Sequence, residues 1–144
     1  HPGITLKEQK GFIDIDFGEW QGMSHGKVKE EYGELYLRWQ QEPGNVRMPG
    51  GEDLEDVKVR SMEGLNDILA RHENETVVIA SHRVINKVVL CAVFLLYSQD
   101  LWRIRQDTCA INIFEKSDKG FIVSLINDTC HMKALGERSG LVDF

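Results

Sequence analysis

Apolar residues recur at helical spacing in three stretches of the chain, and this pattern predicts three helices. The predicted helices are Lys27 to Gln41, a helix capped by Asp53 that runs to Ala70, and Val84 to Tyr97. Pro43-Gly44 ends the first helix. The negative charge of Asp56, in the first turn of the second helix, interacts favourably with the helix dipole. The last helix contains the longest apolar run, which is about half of the roughly 20 residues that span a membrane. We therefore predict a core helix there and no membrane segment.

Short apolar or alternating stretches predict the extended parts of the fold. Thr76 to Ala80 is apolar and β-branched, as in strands that are buried on both faces of a parallel sheet. Ala110 to Phe114 and Phe121 to Ile126 are separated by the turn Lys116 to Gly120, which predicts a hairpin. Phe12 to Phe17 alternates apolar and acidic residues and forms either a strand or an extended loop with two carboxylates on one side.

Helices that alternate with buried strands predict an α/β fold, with a three-layer, mostly parallel sheet flanked by helices. No repeat or low-complexity tract divides the chain, so we expect residues 1–144 to form a single domain. A sheet of this kind normally begins with a strand and its crossover helix, but neither is evident before residue 27. We therefore expect the sheet to be incomplete at the N-terminus.

Charge and cysteine content narrow the class of protein. A formal charge of −6 gives no basic field that would attract nucleic acid or an anionic membrane. The N-terminus has no signal-peptide pattern, and Cys91, Cys109 and Cys130 are widely spaced among apolar neighbours. This pattern predicts reduced core thiols in a cytoplasmic protein. Motifs for ATP, dinucleotides and structural zinc are absent from the sequence, so we expect no cofactor and no metal.

The junction between the predicted strand Thr76 to Ala80 and the following helix carries His82 and Arg83. Ligands of α/β sheets bind where strands end, and the N–H groups of a helix N-terminus attract anions. His82 could donate to a phosphoryl oxygen, and Arg83 could bind phosphate through its side chain or its backbone N–H. The alternative is that His82 only caps the helix and Arg83 is a solvated surface residue.

Two carboxylates, Asp14 and Asp16, form a second candidate site before Gly18. A protonated carboxyl group can give its proton to a leaving alkoxide, as phosphate ester cleavage requires. The alternative is a pair of solvated acids on an exposed strand face. The remaining histidines, His25, His131, His1 and His72, have no such setting; the first two are predicted to be structural, and we assign the others no role.

Four segments together resemble the histidine phosphatases, a family that includes the phosphoglycerate mutases and α-ribazole phosphatase. They are Asp14 to Gly22, Pro49-Gly50-Gly51-Glu52-Asp53, Ser81-His82, and Asn127 to His131. The resemblance implies that His82 is the family's second catalytic histidine and that Asp14 replaces a glutamate that serves as proton donor. Arg83 stands where the family commonly has glycine; its backbone N–H could still bind phosphate, and its side chain either contacts the substrate or faces solvent.

The same resemblance implies that the family's phosphorylated histidine lies in an Arg-His-Gly motif, which these 144 residues do not contain. The chain then corresponds to the C-terminal two-thirds of the domain. We expect its partners to be a small phosphorylated substrate and either the missing N-terminal segment or a second copy of the chain.

The sequence therefore favours a metal-independent phosphate monoester phosphatase, or a mutase-like phosphoryl transfer, that acts through a phosphohistidine in the intact protein. An alternative is a non-catalytic module of the same fold that binds a phosphate ligand or a partner. A third is a structural fragment without activity.

Overall fold

The computed structural model of the protein describes residues 3–133. In chain order, its α-helices and strands are α1 (His25–Glu31), α2 (Gly33–Gln41), α3 (Leu54–Arg71), α4 (Arg83–Val93), β1 (Ile111–Ser117), β2 (Gly120–Asp128) and α5 (Cys130–Lys133). Short 3₁₀ helices occupy Lys10–Phe12, Gly18–Trp20, Pro43–Asn45 and Ser98–Arg103.

Helix α3 begins where the sequence predicts it. The Asp53 carboxylate accepts hydrogen bonds from the N–H groups of Glu55 and Asp56 at 3.0 and 2.9 Å. In return, the Asp56 carboxylate accepts from the Asp53 N–H at 3.3 Å, which completes a capping box. The predicted N-cap is confirmed, and the helix ends one residue beyond Ala70.

Two other predicted helices are shorter than their apolar patterns. The stretch from Lys27 to Gln41 is divided into α1 and α2, because Tyr32 leaves the helical region with φ −125° and ψ 30°. Helix α4 begins at Arg83 and ends at Val93, and Leu95 then takes a left-handed φ of 58° that turns the chain. The remainder of that apolar run does not continue the helix as predicted.

The predicted buried strand Thr76 to Ala80 is not a paired strand in the structure. Residues 76–80 lie outside every assigned strand, and Val78 is 89% exposed. A strand of a parallel sheet needs a neighbour that satisfies its backbone groups, and no strand in residues 3–133 is paired with this segment. The segment does lie where the sequence predicts it, directly before the Ser81-His82 junction. Its Ile79 side chain packs against the core there.

The predicted hairpin is present and forms the sheet of the described residues. Strands β1 and β2 pair antiparallel from Ile111 opposite Asp128 to Ser117 opposite Gly120. The predicted three-layer, mostly parallel sheet is therefore absent from residues 3–133, which combine helices with a two-stranded antiparallel sheet. The physical reason is that no strand within this part of the chain lies beside residues 76–80.

The core fixes the elements that carry the candidate site. Three side chains are buried in one apolar cluster: Ile15 of the acidic segment (residues 11–16), Val57 of α3 and Ile85 of α4. Trp39 of α2 is fully buried and meets the ring of Trp102 edge to face at 5.4 Å between centroids. Close packing of this kind holds the acidic segment and the start of α4 in fixed relative positions.

The prediction of three core thiols is wrong for two of them. Cys91 is buried in α4, whereas Cys109 and Cys130 are exposed, and no disulfide joins cysteines among the described residues. Cys109 lies in a turn with φ 58°, and Cys130 opens the short helix α5, so neither lies in a core-facing element.

Each helix within residues 3–133 is too short or too polar to cross a lipid bilayer. The cytoplasmic location stays a prediction.

Candidate functional site

His82 lies at the N-cap position of α4, directly before the helix that the sequence predicts to follow it. Its backbone carbonyl accepts the first helical hydrogen bond, from the Asn86 N–H at 2.9 Å, but its side chain makes no capping hydrogen bond. The imidazole is 55% exposed. A purely capping role for the His82 side chain is therefore wrong, and the ring is accessible to a ligand at the positive end of the helix dipole.

Asp14 meets His82 across the site. Its Oδ2 lies 3.5 Å from Nδ1 of His82, and its side chain is 47% exposed. The other oxygen, Oδ1, accepts a hydrogen bond from the Ile15 N–H at 2.9 Å. Ile15 itself is 1% exposed, so the residue next to Asp14 anchors the acidic segment in the core. The fold thus brings together two candidate residues that are far apart in the sequence.

Arg83 is not a solvated surface residue. Its side chain is partly buried, and Nε donates to the Gln106 carbonyl at 3.1 Å. The neighbouring Asp107 has a pKa below its usual range, because hydrogen bonds from Arg105 and Asn127 and the charges of Arg105 and Arg83 outweigh the effect of burial. The Arg83 guanidinium is therefore directed toward the polar residues before β1, while its backbone N–H remains at the start of α4.

Asp16 has a different role from Asp14 in the local structure. Its Oδ1 accepts from the Gly18 N–H at 2.8 Å, which closes the turn. Gly18 has φ +54°, and a Cβ there would lie 2.1 Å from the Pro49 carbonyl oxygen. The turn after the two carboxylates therefore requires glycine and is packed directly against the Pro49-Gly50-Gly51 loop.

Two of the other histidines, His25 and His72, make side-chain contacts within the fold. His25 Nδ1 lies 3.2 Å from the Tyr36 hydroxyl, and His72 Nδ1 lies 2.8 Å from a Glu75 carboxylate oxygen. His131 is exposed in α5. His1 lies outside the described residues.

Three residues that received no role from the sequence hold residues 11–16 in place: Arg60, Glu52 and Ser81. Arg60 of α3 donates to backbone carbonyls of this acidic segment and to Glu52, and the Ser81 hydroxyl donates to the Phe12 carbonyl at 2.7 Å. The opposite charges of Glu52, just before α3, and Arg60, within α3, are a sequence pattern that could have predicted an ion pair. No local pattern indicated that the pair contacts residues 11–16.

Glu52 has a pKa below its usual range. Partial burial raises this pKa. Hydrogen bonds from the Arg60 side chain and from the Asp16 N–H, together with the charge of Arg60, lower it by more. Glu52 is therefore an anion that neutralises Arg60 close to the site.

Metal-ligating side chains do not converge at this site. Among the described residues, no group of three or more histidine, cysteine, aspartate or glutamate side chains is placed to hold a metal ion. The Asp14–His82 arrangement instead offers a hydrogen-bond donor and a carboxyl group to one ligand.

Comparison with known proteins identifies the class to which this fold and site belong. The model of the histidine phosphatase superfamily (branch 1) matches residues 1–129, so the chain belongs to that superfamily. The predicted resemblance is confirmed.

Phosphatases are found among its curated relatives and among similar solved structures. The chain is 33% identical over 128 residues to phosphoserine phosphatase 1 of Hydrogenobacter thermophilus, a match that covers 89% of the chain and 60% of that relative. It is 28% identical to YhfR of Bacillus stearothermophilus, with a TM-score of 0.79 over 83% of the chain and 59% of that protein.

A mutant phosphoserine phosphatase from Entamoeba histolytica, solved in complex with phosphoserine, shares the fold with a TM-score of 0.77 and 18% identity. That match covers 90% of the chain and 66% of the solved protein. The chain thus spans about 60% of the length of the first two relatives.

Proposed function

We propose that the gene product containing this chain is a metal-independent phosphatase that hydrolyses a small phosphate monoester through a phosphohistidine. The observation that carries this proposal is the 3.5 Å approach of Asp14 to His82 at the start of α4. The superfamily and its phosphatase relatives support it.

The family resemblance assigns the nucleophile to a histidine of an Arg-His-Gly segment that is not among these 144 residues. In the first step, a ring nitrogen of that histidine bonds to phosphorus while the bond from phosphorus to the ester oxygen breaks. Asp14, in its protonated form, gives its proton to that oxygen, and the alcohol leaves. In the second step, Asp14 takes a proton from water, and the water oxygen replaces the histidine on phosphorus.

His82 would stabilise the charge on the transferring phosphoryl group. A ring N–H of its imidazole and the N–H groups that open α4, including that of Arg83, would be the donors at the positive end of this helix. Such electrostatic stabilisation carries most of the catalysis in phosphoryl transfer, where the protein has little covalent chemistry to do. Chemistry of this type needs no metal ion.

Phosphoserine is the first substrate to test, because relatives are named as phosphoserine phosphatases. Phosphoserine has an alkoxide leaving group that requires protonation. It therefore places the greatest demand on Asp14, whereas p-nitrophenyl phosphate, with its stable phenolate, places little.

The decisive experiment measures kcat/KM, which reports the steps up to formation of the phosphohistidine, for the gene product and its Asp14→Asn variant on phosphoserine and p-nitrophenyl phosphate in the presence of EDTA. We expect the variant to lose about 10²-fold or more on phosphoserine, in line with general acid catalysis, and much less on the phenyl ester. Equal losses on both esters would remove Asp14 from the donor role, and Asp16→Asn would be tested next.

The His82→Ala variant tests the phosphoryl site itself. We expect vanadate, which mimics the transferring group, to inhibit this variant at least tenfold more weakly, since a charge-assisted hydrogen bond is lost. His131→Ala is the matched control on an exposed histidine. An unchanged inhibition constant would contradict the assignment of His82, and vanadate binding without any turnover would favour a non-catalytic module.

A further inference from the structure

Backbone carbonyls of the acidic segment, residues 11–16, converge on a single side chain of α3. Arg60 Nη1 donates to the carbonyls of Gly11 and Ile13, each at 2.9 Å. Nη2 donates to the carbonyl of Asp14 itself at 3.0 Å. One guanidinium therefore fixes three peptide units around the residue that approaches His82.

Glu52 holds this guanidinium in place from the other side. Its Oε1 accepts from Arg60 Nε at 2.7 Å and its Oε2 from Nη2 at 2.9 Å, which is the bidentate geometry of an arginine–carboxylate pair. Oε2 also accepts from the Asp16 N–H at 2.9 Å. Both side chains are about one-fifth exposed, at 21% and 23%, so water competes only partly for these bonds.

The acidic segment is also tied to the residue before His82. The Ser81 hydroxyl donates to the Phe12 carbonyl at 2.7 Å, so Phe12 is bound to the segment that opens α4. On the side of α3, a Cβ at Gly11 would lie 2.5 Å from the Arg60 carbonyl oxygen. The acidic segment is thus held against α3 at one face and against the His82 junction at another.

We propose that Arg60, held by Glu52, is a positioning residue that fixes the backbone of residues 11–16 so that the Asp14 carboxyl is kept at His82. This inference rests on the proposed function, in which Asp14 is the proton donor. Aspartate has one side-chain torsion fewer than glutamate, so it compensates poorly for a shift of its backbone. A displacement near 1 Å in a catalytic group costs on the order of a hundredfold in rate.

The test compares Arg60→Met with the unmodified gene product on phosphoserine and p-nitrophenyl phosphate. We expect kcat/KM on phosphoserine to fall at least tenfold more than kcat/KM on the phenyl ester, since only the leaving alkoxide requires the proton of Asp14. Arg60→Lys retains one charged donor and should recover part of the loss. Arg71→Met is the matched control, because Arg71 is on the same helix and contacts Asp67 rather than the acidic segment.

A double variant separates positioning from general destabilisation. In the Asp14→Asn background, Arg60→Met should cause no further selective loss on phosphoserine, since the group that it positions no longer donates a proton. Loss of the same size on both esters after Arg60→Met, while Asp14→Asn remains selective, would overturn this inference and leave the proposed function intact. A non-selective Asp14→Asn would overturn both.

Glu52→Gln keeps the inference falsifiable if Arg60→Met does not fold. The substitution keeps one hydrogen-bond acceptor, the amide oxygen, but removes the negative charge that orients the guanidinium. We expect a smaller loss with the same preference for phosphoserine, about threefold or more. A folded Glu52→Gln variant without that preference would show that the pair does not position Asp14.

Discussion

Glu52 carries its charge next to Arg60 with a pKa that the fold lowers. The folded protein then binds fewer protons than the unfolded chain at acid pH. The stabilisation from this group is therefore complete above its unfolded pKa, about 4.5, and is lost as the pH falls through the lower folded value.

Replacing Glu52 with glutamine should make the free energy of unfolding fall less steeply between about pH 6 and 3. Near neutral pH, the same variant should be less stable by about 1 to 2 kcal/mol, because Arg60 loses its charged partner. Urea unfolding at a series of pH values measures both effects. Glu63→Gln, on the exposed side of α3, is the control, and parallel pH curves for Glu52→Gln and the parent would contradict the prediction.

The three cysteines should differ in reactivity. Burial, together with the charge of Asp100, raises the pKa of Cys91 to about 11. Cys109 and Cys130 are exposed, so iodoacetamide near pH 8 should modify both and spare Cys91 until a denaturant is added. Peptide mass spectrometry with and without urea measures this. Comparable labelling of Cys91 in the native protein would contradict its buried position.

At the scale of elements, α3 depends on the cap that aligns it with the Pro49-Gly50-Gly51 loop. Asp53→Ala removes the capping acceptor and should cost about 1 kcal/mol, a fall of about 3 °C in Tm for a domain of this size. Asp53 also pairs with Arg47 at 2.6 Å, so Asp53→Asn, which keeps a capping oxygen, separates the cap from the ion pair.

Thermal unfolding should rank Asp53→Ala as the less stable of the two variants, with Asn close to the parent. Glu63→Ala serves as the helix-surface control. Equal Tm values for Asp53→Ala and Glu63→Ala would show that the capping box does not limit the stability of α3.

Local sequence signals were sufficient for some elements and insufficient for others. The Asp53 side chain caps α3 because the N–H groups that it binds lie two and three residues further along the chain. The β1–β2 hairpin closes at Gly120, whose φ is 121°. The division at Tyr32 and the end of α4 at Val93 were missed. The apolar period continues through both places, and the packing of neighbouring elements decides where the backbone turns.

At the scale of the whole molecule, residues 76–80 pair with no strand among residues 3–133, and apolar side chains are exposed there. Val78 is 89% exposed and Val77 is 42% exposed. Unpaired extended segments with apolar side chains associate with other chains. We therefore expect the isolated 144-residue chain to self-associate, and Val78→Lys to reduce this association, because a charge on an open edge disfavours pairing.

Light scattering at several concentrations, together with binding of a hydrophobic dye, measures this prediction. Val59→Lys, at an exposed apolar position on α3, is the matched control for added charge. An isolated chain that stays monomeric at all concentrations, or an equal effect of both lysine variants, would show that residues 76–80 do not form the associating surface.

The sequence by itself determined the family, the cap of α3 and the hairpin, and it singled out His82 and Asp14 as candidate site residues. These features depend on neighbouring residues or on short motifs, so the sequence alone predicts them. Only the tertiary structure decided that Asp14 lies 3.5 Å from His82, that Arg60 binds three carbonyls of the acidic segment, and that Arg83 is directed toward Gln106. Contacts between distant residues depend on how buried side chains such as Ile15, Val57 and Ile85 pack together, and no local pattern in the chain encodes that packing.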